Sequence, residues 1–259
     1  MKVSVSGLLL AAGVFVGPAA QADTAYVAGY SAEFGTLDLS TGIFTSLGTT
    51  NVGGHPMGLL SGLSVANGAL YGETLSGGSN LYSVNPANGA LSYIGTNSTS
   101  SNVLGSTTSG TLYSADLSGN LYSVNTATAA ATFIGNLGFG LGGYFSLSDN
   151  SSTLYLTRGN GSLYTVNTST GVASLVGPTV QVFATAVSGG TLYGVSATNI
   201  YSINPTTGAF TTGPTIAPGI AIEGLVPVGA VSAVPEPAAA WLLGTGLVGL
   251  FGAVRRRTT

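Results

Sequence analysis

Cysteine is absent from the 259 residues, and histidine and tryptophan occur only once each. Without cysteine the chain can form neither a disulfide framework nor a thiolate metal site. A single histidine, His55, excludes a histidine metal cluster and leaves no obvious serine–histidine–aspartate set. The glycine-rich segment 140–143 lacks the lysine of a phosphate-binding loop. We therefore predict a protein that binds no metal or cofactor and is not an enzyme.

Charged residues are also scarce, at 5% of the chain against about a quarter in an average protein. The hydrophobic share of 44% nevertheless argues against an intrinsically disordered chain. Between residues 23 and 233, one arginine stands against seven acidic residues, so this region carries a net charge of −6. Such a surface would repel nucleic acid and anionic lipid.

The sequence does contain a repeat, whose copies are spaced by 37 to 47 residues. Each copy joins an aromatic and β-branched segment, typical of a strand, to an aspartate or asparagine that can open a turn. A glycine follows four residues later, where a bulged hairpin loop needs positive φ, but the third copy has Ala129 there, which predicts a different or strained turn. The aspartate or asparagine positions are Asp38, Asn85, Asn125, Asn167 and Asn204.

Nine of the twelve tyrosines occupy only two positions of this repeat. One row lies in the repeated segment itself, and the other lies in a companion strand 8 to 11 residues upstream. An aromatic ligand platform and packing between sheets both fit this pattern, and packing is the commoner role. The rows are Tyr82, Tyr122, Tyr164 and Tyr201, and Tyr26, Tyr71, Tyr113, Tyr155 and Tyr193.

A period of about 40 residues fits the four-stranded blades of a β-propeller. The first strands of the second to fifth blades are predicted at residues 58–66, 103–108, 144–148 and 182–188. The segment 223–228 then completes the first blade and closes the ring, which leaves only short, protected edges. Pro227 fits poorly, because a proline in a central strand removes a ladder hydrogen bond. A two-sheet sandwich and a solenoid are the alternatives to this all-β, five-bladed propeller over residues 23–229.

The repeated hairpin also resembles the propeller repeats of quinoproteins and related families. This resemblance covers residues 24–228 as a pattern. The tryptophans typical of quinoprotein docking are absent, because Trp241 lies beyond the repeats. The resemblance therefore implies the fold and not the cofactor.

The N-terminus has the layout of a secretory signal peptide over residues 1–22. Lys2 supplies the positive end, residues 8–16 form an apolar run, and Ala20 and Ala22 provide the cleavage pattern. We expect the mature chain to begin near Asp23. A buried core helix is the alternative interpretation.

The C-terminus has a linker with a Pro-Glu-Pro motif at 230–237, an apolar stretch at 238–254 and a basic tail at 255–259. At ~1.5 Å per residue the stretch just crosses a thin membrane, and the arginines mark the cytoplasmic side. This tail resembles the PEP-CTERM sorting domain, through Val234, Pro235, Glu236, Pro237, Arg255, Arg256 and Arg257.

That resemblance implies a Gram-negative host, often one that makes exopolysaccharide, and a membrane-embedded exosortase that removes the tail. It predicts an inner-membrane-anchored precursor that ends in the cell envelope or outside the cell. A plain membrane anchor is the alternative. The prolines around Glu236 prevent a helix there, so the motif is extended and accessible to a protease.

In a propeller, the ends of the second strands and the loops between blades emerge on one face. We therefore predict a binding face formed by His55, Glu73, Asp116, Arg158 and Glu223. A sugar or a cation could bind there; the alternative is a soluble surface with an Asp116–Arg158 pair of little energetic value.

These observations predict an exported, non-enzymatic propeller with a structural, glycan-binding or partner-binding role, and exopolysaccharide is one candidate partner. A propeller lyase or hydrolase acting on polysaccharide is the alternative.

Overall fold

The computed structural model describes residues 23–231, except 58–59, 75–78, 98, 100, 108, 144, 151 and 217–219. The predicted signal peptide (1–22), Pro-Glu-Pro motif (234–237), membrane helix (238–254) and basic tail (255–259) lie outside the described residues. Within the described part of the chain, no helix reaches the length and hydrophobicity of a membrane span.

Five four-stranded antiparallel sheets form the described chain, as predicted. The strands of each blade are given from the axis outward. Blade 1 consists of β22 (Ile222–Pro227), β1 (Thr24–Gly29), β2 (Glu33–Asp38) and β3 (Phe44–Thr49). Blade 2 consists of β6 (Leu60–Ala66), β7 (Ala69–Thr74), β8 (Ser79–Val84) and β9 (Leu91–Asn97). Blade 3 consists of β10 (Ser101–Ser106), β11 (Leu112–Asp116), β12 (Asn120–Val124) and β13 (Ala131–Asn136). Blade 4 consists of β14 (Phe145–Asn150), β15 (Thr153–Arg158), β16 (Ser162–Val166) and β17 (Ala173–Pro178). Blade 5 consists of β18 (Ala184–Ser188), β19 (Thr191–Val195), β20 (Asn199–Ile203) and β21 (Phe210–Thr215).

The ring closes where the last strand pairs with the first. Strand β22 lies antiparallel to β1, with Val226 opposite Tyr26 and Leu225 opposite Val27. The predicted propeller with interlocked ends is therefore confirmed. Pro227 is tolerated because β22 is the edge strand of its sheet and pairs on one side only.

The closure is reinforced by Asp23, the first described residue. Its carboxylate accepts hydrogen bonds from the Ser188 hydroxyl (2.9 Å) and the Tyr193 hydroxyl (2.8 Å), both in blade 5. Its backbone carbonyl accepts the Leu39 N–H of blade 1 at 2.7 Å. Asp23 thus joins the first blade to the last.

One turn geometry recurs in all five blades. In blade 4 the Asn167 side-chain oxygen accepts the N–H groups of Ser169 (2.9 Å) and Thr170 (3.1 Å), and its carbonyl accepts the N–H of Gly171 (2.8 Å). Gly171 has φ of 77°, and Ala129 adopts the same turn with φ of 61°. The third turn is therefore strained rather than different, since alanine rarely occupies this left-handed region.

The outer strands follow one another around the rim. The end of each strand lies against the turn that begins the next, so closely that a side chain would not fit. A Cβ atom built on Gly135 of β13 would lie 1.9 Å from the Thr170 carbonyl oxygen of blade 4. The equivalent Gly177 of β17 would meet the Thr207 carbonyl oxygen of blade 5 at 2.2 Å. These glycines allow backbone-to-backbone contact between blades.

The hydrophobic core lies between the blades. One cluster, between blades 3 and 4, includes Leu121, Leu147 and Leu154, and equivalent clusters fill the other joints. Tyrosines of the companion row take part in these clusters, and Tyr113 is buried. This supports the packing interpretation for that row. The tyrosines of the outer row lie nearer the rim, where Tyr82 meets the ring of Tyr93 edge-on at 5.6 Å.

Two small elements lie outside the blades. A hairpin of β4 (Asn51–Val52) and β5 (His55–Pro56) follows blade 1, and Asn51 forms a parallel bridge with Ala90, just before β9. A single 3-10 turn, Val228–Ala230, follows β22. The sequence predicted only a loop between blades around His55.

Candidate functional site

The face predicted to carry the charges is the one where the second strands end. Strand pairing places Glu73, Asp116 and Arg158 each opposite the beginning of the inner strand of its own blade. Glu223 lies near the beginning of β22, so it belongs to the same face. The structure nevertheless gives these side chains different environments.

Asp116 is held by residues of its own blade. Its carboxylate accepts hydrogen bonds from the backbone N–H and side-chain amide of Asn120, both at 2.9 Å, and from the Tyr122 hydroxyl at 3.0 Å. Burial raises the pKa of Asp116, but these hydrogen bonds and one from the Ser118 backbone together outweigh it, so the pKa lies below its ordinary value. Asp116 is therefore a rigid, ionised acceptor near neutral pH.

Arg158 does not pair with Asp116. Its guanidinium donates a hydrogen bond to the Gly140 carbonyl at 2.8 Å and lies 4.8 Å from the centre of the Phe139 ring. The expected alternative, a surface Asp116–Arg158 pair, does not form among the described residues. The arginine instead fastens the chain that runs from blade 3 to blade 4.

That chain, residues 137–143, is the joint loop. On one side the Leu141 N–H donates to the Leu117 carbonyl at 2.9 Å, next to Asp116. On the other side Phe139 packs against Tyr164, with ring centres 4.7 Å apart, beneath Arg158. Leu117, next to Asp116, and Arg158 therefore both bind this loop, one from blade 3 and one from blade 4.

Glu73 does not contribute to the surface. Its side chain is fully buried, and its Oε1 atom accepts a hydrogen bond from the Asn97 side-chain amide at 2.9 Å. Ser61 donates its hydroxyl to the Glu73 carbonyl at 3.2 Å. Glu73 lies near the end of its strand, as its sequence position indicates, but burial removes its carboxylate from the surface.

Glu223 lies nearer the axis. It is half-buried, and burial raises the pKa of its carboxyl group. It lines a cavity of about 10 Å³ with Ser61, Phe145 and Phe183 among others. Phe145 also pairs with Arg158 between neighbouring strands, so blade 4 connects this cavity with the joint loop.

The axis itself is narrow. A second cavity, of about 50 Å³, lies further along it, and Leu63, Leu147 and Leu225 line both cavities. Hydroxyl groups are paired across the neighbouring inner strands: Thr185 bonds Ser146 at 2.9 Å and Ser148 at 3.0 Å. The axial space holds a few water molecules at most.

His55 is in the hairpin β4–β5, at the joint between blades 1 and 2. The structure thus does not group it with Asp116 and Arg158, which lie near the joint loop between blades 3 and 4. Among the described residues there is also no cluster of three or more histidine or acidic side chains that could hold a metal ion.

Phe139 and Asn120 were not predicted as parts of this site, and Tyr122 and Tyr164 were considered only as members of a tyrosine row. Phe139 lies within a run containing Gly138, Gly140, Gly142 and Gly143. That run was considered only as a phosphate loop. Its position between two blades was the usable signal, because inter-blade loops belong to the binding face.

Comparison with protein families finds one match, the PEP-CTERM protein-sorting motif, at residues 233–257. The chain therefore carries this sorting motif, as its tail predicted. The motif implies an exported protein that an exosortase processes and sorts to the cell envelope. No curated protein matches the chain.

Solved structures with a similar fold include a structural-genomics protein of unknown function from Bacteroides thetaiotaomicron VPI-5482, with 19% identity and a TM-score of 0.56. The match covers 75% of this chain and 56% of that protein, so this chain spans little more than half of its length. A nidogen/laminin complex matches with 12% identity and a TM-score of 0.49, covering 81% of this chain and 100% of the other. At these identities the likeness concerns the fold alone.

Proposed function

We propose that this protein is a non-enzymatic component of the cell envelope or extracellular matrix, which binds a glycan through the face around the joint loop. The observation that carries the proposal is that two charged groups lie near one glycine-rich loop that also carries an aromatic ring. Asp116 is held by its own blade beside Leu117, which binds the loop, and Arg158 binds the loop at Gly140 and Phe139. The sorting motif supports an extracytoplasmic place of action.

The chemistry of this face suits a sugar. A sugar presents hydroxyl groups beside apolar C–H faces, so it needs fixed polar groups next to a ring. Asp116 and Asn120 supply an acceptor and an amide, and Phe139 and Tyr164 supply the rings. Because hydrogen bonds hold Asp116 and Asn120 and ring packing holds Phe139 and Tyr164, little ordering entropy would be lost on binding.

The alternative, a lyase or hydrolase acting on polysaccharide, requires two acid–base groups that converge on one bond. A pair of glycosidase carboxylates lies roughly 5–9.5 Å apart. Glu73, Asp116 and Glu223 belong to blades 2, 3 and 1, and Glu73 is buried. This arrangement supports binding over catalysis.

The test is co-sedimentation of the purified protein with the host's exopolysaccharide, compared between wild type and the double variant Asp116→Asn, Arg158→Ala. We expect the double variant to lose most binding. The control is Asp38→Asn, which removes an equal acidic charge at a turn where four other repeats already have asparagine. Equal binding by wild type and double variant would contradict the placement of the site.

Release of reducing sugar ends by wild type, abolished in the double variant, would contradict the non-enzymatic role. The sorting step is tested separately, by mass spectrometry of the mature termini after cell fractionation. We expect residues 255–259 to be missing from the final product; their retention would contradict removal of the tail.

A further inference from the structure

Each blade ends in an outer strand whose far edge pairs with no other blade. These strands are β3, β9, β13, β17 and β21. An edge strand exposes a row of unpaired N–H and C=O groups, and another extended strand is the partner that satisfies such a row. The rim of the propeller therefore offers five potential pairing edges.

These edges lack charged residues, which are a common protection. Natural proteins guard edge strands with charged residues, especially lysine, with proline or with β-bulges. None of the five outer strands contains a charged residue, and β3, β9 and β13 contain no proline either. The one protective feature that all five share is a bulge where each pairs with the third strand.

Three neighbouring outer strands also expose a large apolar side chain at one register. Tyr93, Phe133 and Leu175 lie opposite the third-strand tyrosines of blades 2, 3 and 4. They are 57%, 59% and 64% exposed, respectively. A strand added at these edges would cover part of this apolar surface.

The molecule itself makes a backbone contact at the start of one of these edges. Asn51 of the hairpin forms a single parallel bridge with Ala90, just before the outer strand of blade 2. A similar contact occurs at β17, where the Ala173 N–H donates to the Leu137 carbonyl of the joint loop at 3.3 Å.

We propose that the outer edges of blades 2 to 4 pair with the same edges of a second copy of this chain. A copy brings an equally uncharged edge, so no like charges meet at the edge itself. The acidic residues that give the domain its net charge of −6 lie outside the outer strands. Each edge is far smaller than the ~800 Å² per partner of a stable interface, so each contact is weak and concentration-dependent. Several edges on one molecule favour extended assemblies over a closed dimer.

This inference rests on the proposed structural role and gives it a partner. Its test needs only the purified exported protein, so its failure would be separate from a failure to bind glycan. Sedimentation velocity over a wide concentration range compares wild type with a triple variant, Ser92→Lys, Thr132→Lys and Ser174→Lys. These residues are exposed and occupy the same register of β9, β13 and β17.

The matched control is Ala87→Lys, Ala127→Lys and Ser169→Lys. It adds the same charge to the same blades, at exposed turn positions instead of edges. We expect wild type and control to associate, and the edge variant to need a concentration roughly tenfold higher or more, since like charges would face each other across each edge.

A wild-type protein that stays monomeric throughout would overturn the proposal, as would equal dissociation of both triple variants. Hydrogen exchange provides a readout without any variant. We expect the amides of β13 and β17 to exchange more slowly in concentrated than in dilute wild-type protein. Identical exchange at the two concentrations would also overturn it.

Discussion

Replacing Gly171 with alanine should destabilise the propeller strongly. Two effects add at this position. Gly171 has φ of 77°, a region that costs other residues ~1–2 kcal/mol. In addition, the new Cβ would lie 2.6 Å from the carbonyl carbon and 2.7 Å from the Cα of Gly135, in the backbone of the neighbouring blade.

Backbone in a paired strand cannot move aside as a flexible side chain would. Overpacking of this kind costs a further ~1–3 kcal/mol, so we expect a total loss of about 2–5 kcal/mol in the free energy of unfolding. For a domain of roughly 200 residues this lowers the melting temperature by about 4–20 °C. Thermal and urea unfolding followed by circular dichroism measure both quantities.

The chain offers its own control at the equivalent position of blade 3. In Ala129→Gly, relief of the left-handed strain is offset by loss of a buried methyl group and by the greater freedom of glycine in the unfolded chain. We therefore expect a change within about 1 kcal/mol. If Gly171→Ala also costs less than about 1 kcal/mol, the close approach of blades 3 and 4 is wrong.

Three further predictions concern charge and the joint loop. Burial and, next, the hydrogen bond to Asp23 raise the pKa of Tyr193 to about 12. The stability that Tyr193 contributes is therefore fully present below pH 10 and falls between about pH 10 and 12, and Tyr193→Phe should lessen this loss when unfolding is measured against pH. The pKa of Asp116 is lowered, so the stability that it contributes is present above the ordinary carboxyl pKa and is lost as pH falls below about 4. Acid unfolding of Asp116→Asn should therefore depend less on pH, and an unchanged pH dependence would contradict the hydrogen-bonded geometry. Arg158→Ala should speed amide exchange in the joint loop around Gly140, whereas Tyr30→Ala, at an exposed site in blade 1, should leave that loop unchanged.

The blades were predictable because their signals are local. A turn-opening aspartate or asparagine with a glycine four residues later specifies a hairpin within ten residues of chain. The inner strands were placed by elimination, and the structure shifts their ends by only a few residues; the segment predicted at 103–108, for example, is β10 (Ser101–Ser106). The β4–β5 hairpin escaped prediction because its two-residue strands are too short to show alternation.

The candidate site was less predictable, because its members come from different repeats. Sequence position alone assigned Glu73 and Asp116 to one face, since both end a second strand. Their side chains leave the sheet differently: Glu73 is buried and bonded to Asn97, whereas Asp116 turns back to Asn120. A shift of one residue at a strand end reverses the side of the sheet that a side chain faces.

The chain by itself determined the number of blades, the turn that links their outer strands and the sorting tail. Each of these depends on residues that are close neighbours in sequence. Only the tertiary structure decided that Arg158 fastens the joint loop instead of pairing with Asp116, that Asp23 joins the first blade to the last, and that the rim is an uncharged row of edges. These features arise where separate blades meet, and contacts between blades depend on distances that no single repeat encodes.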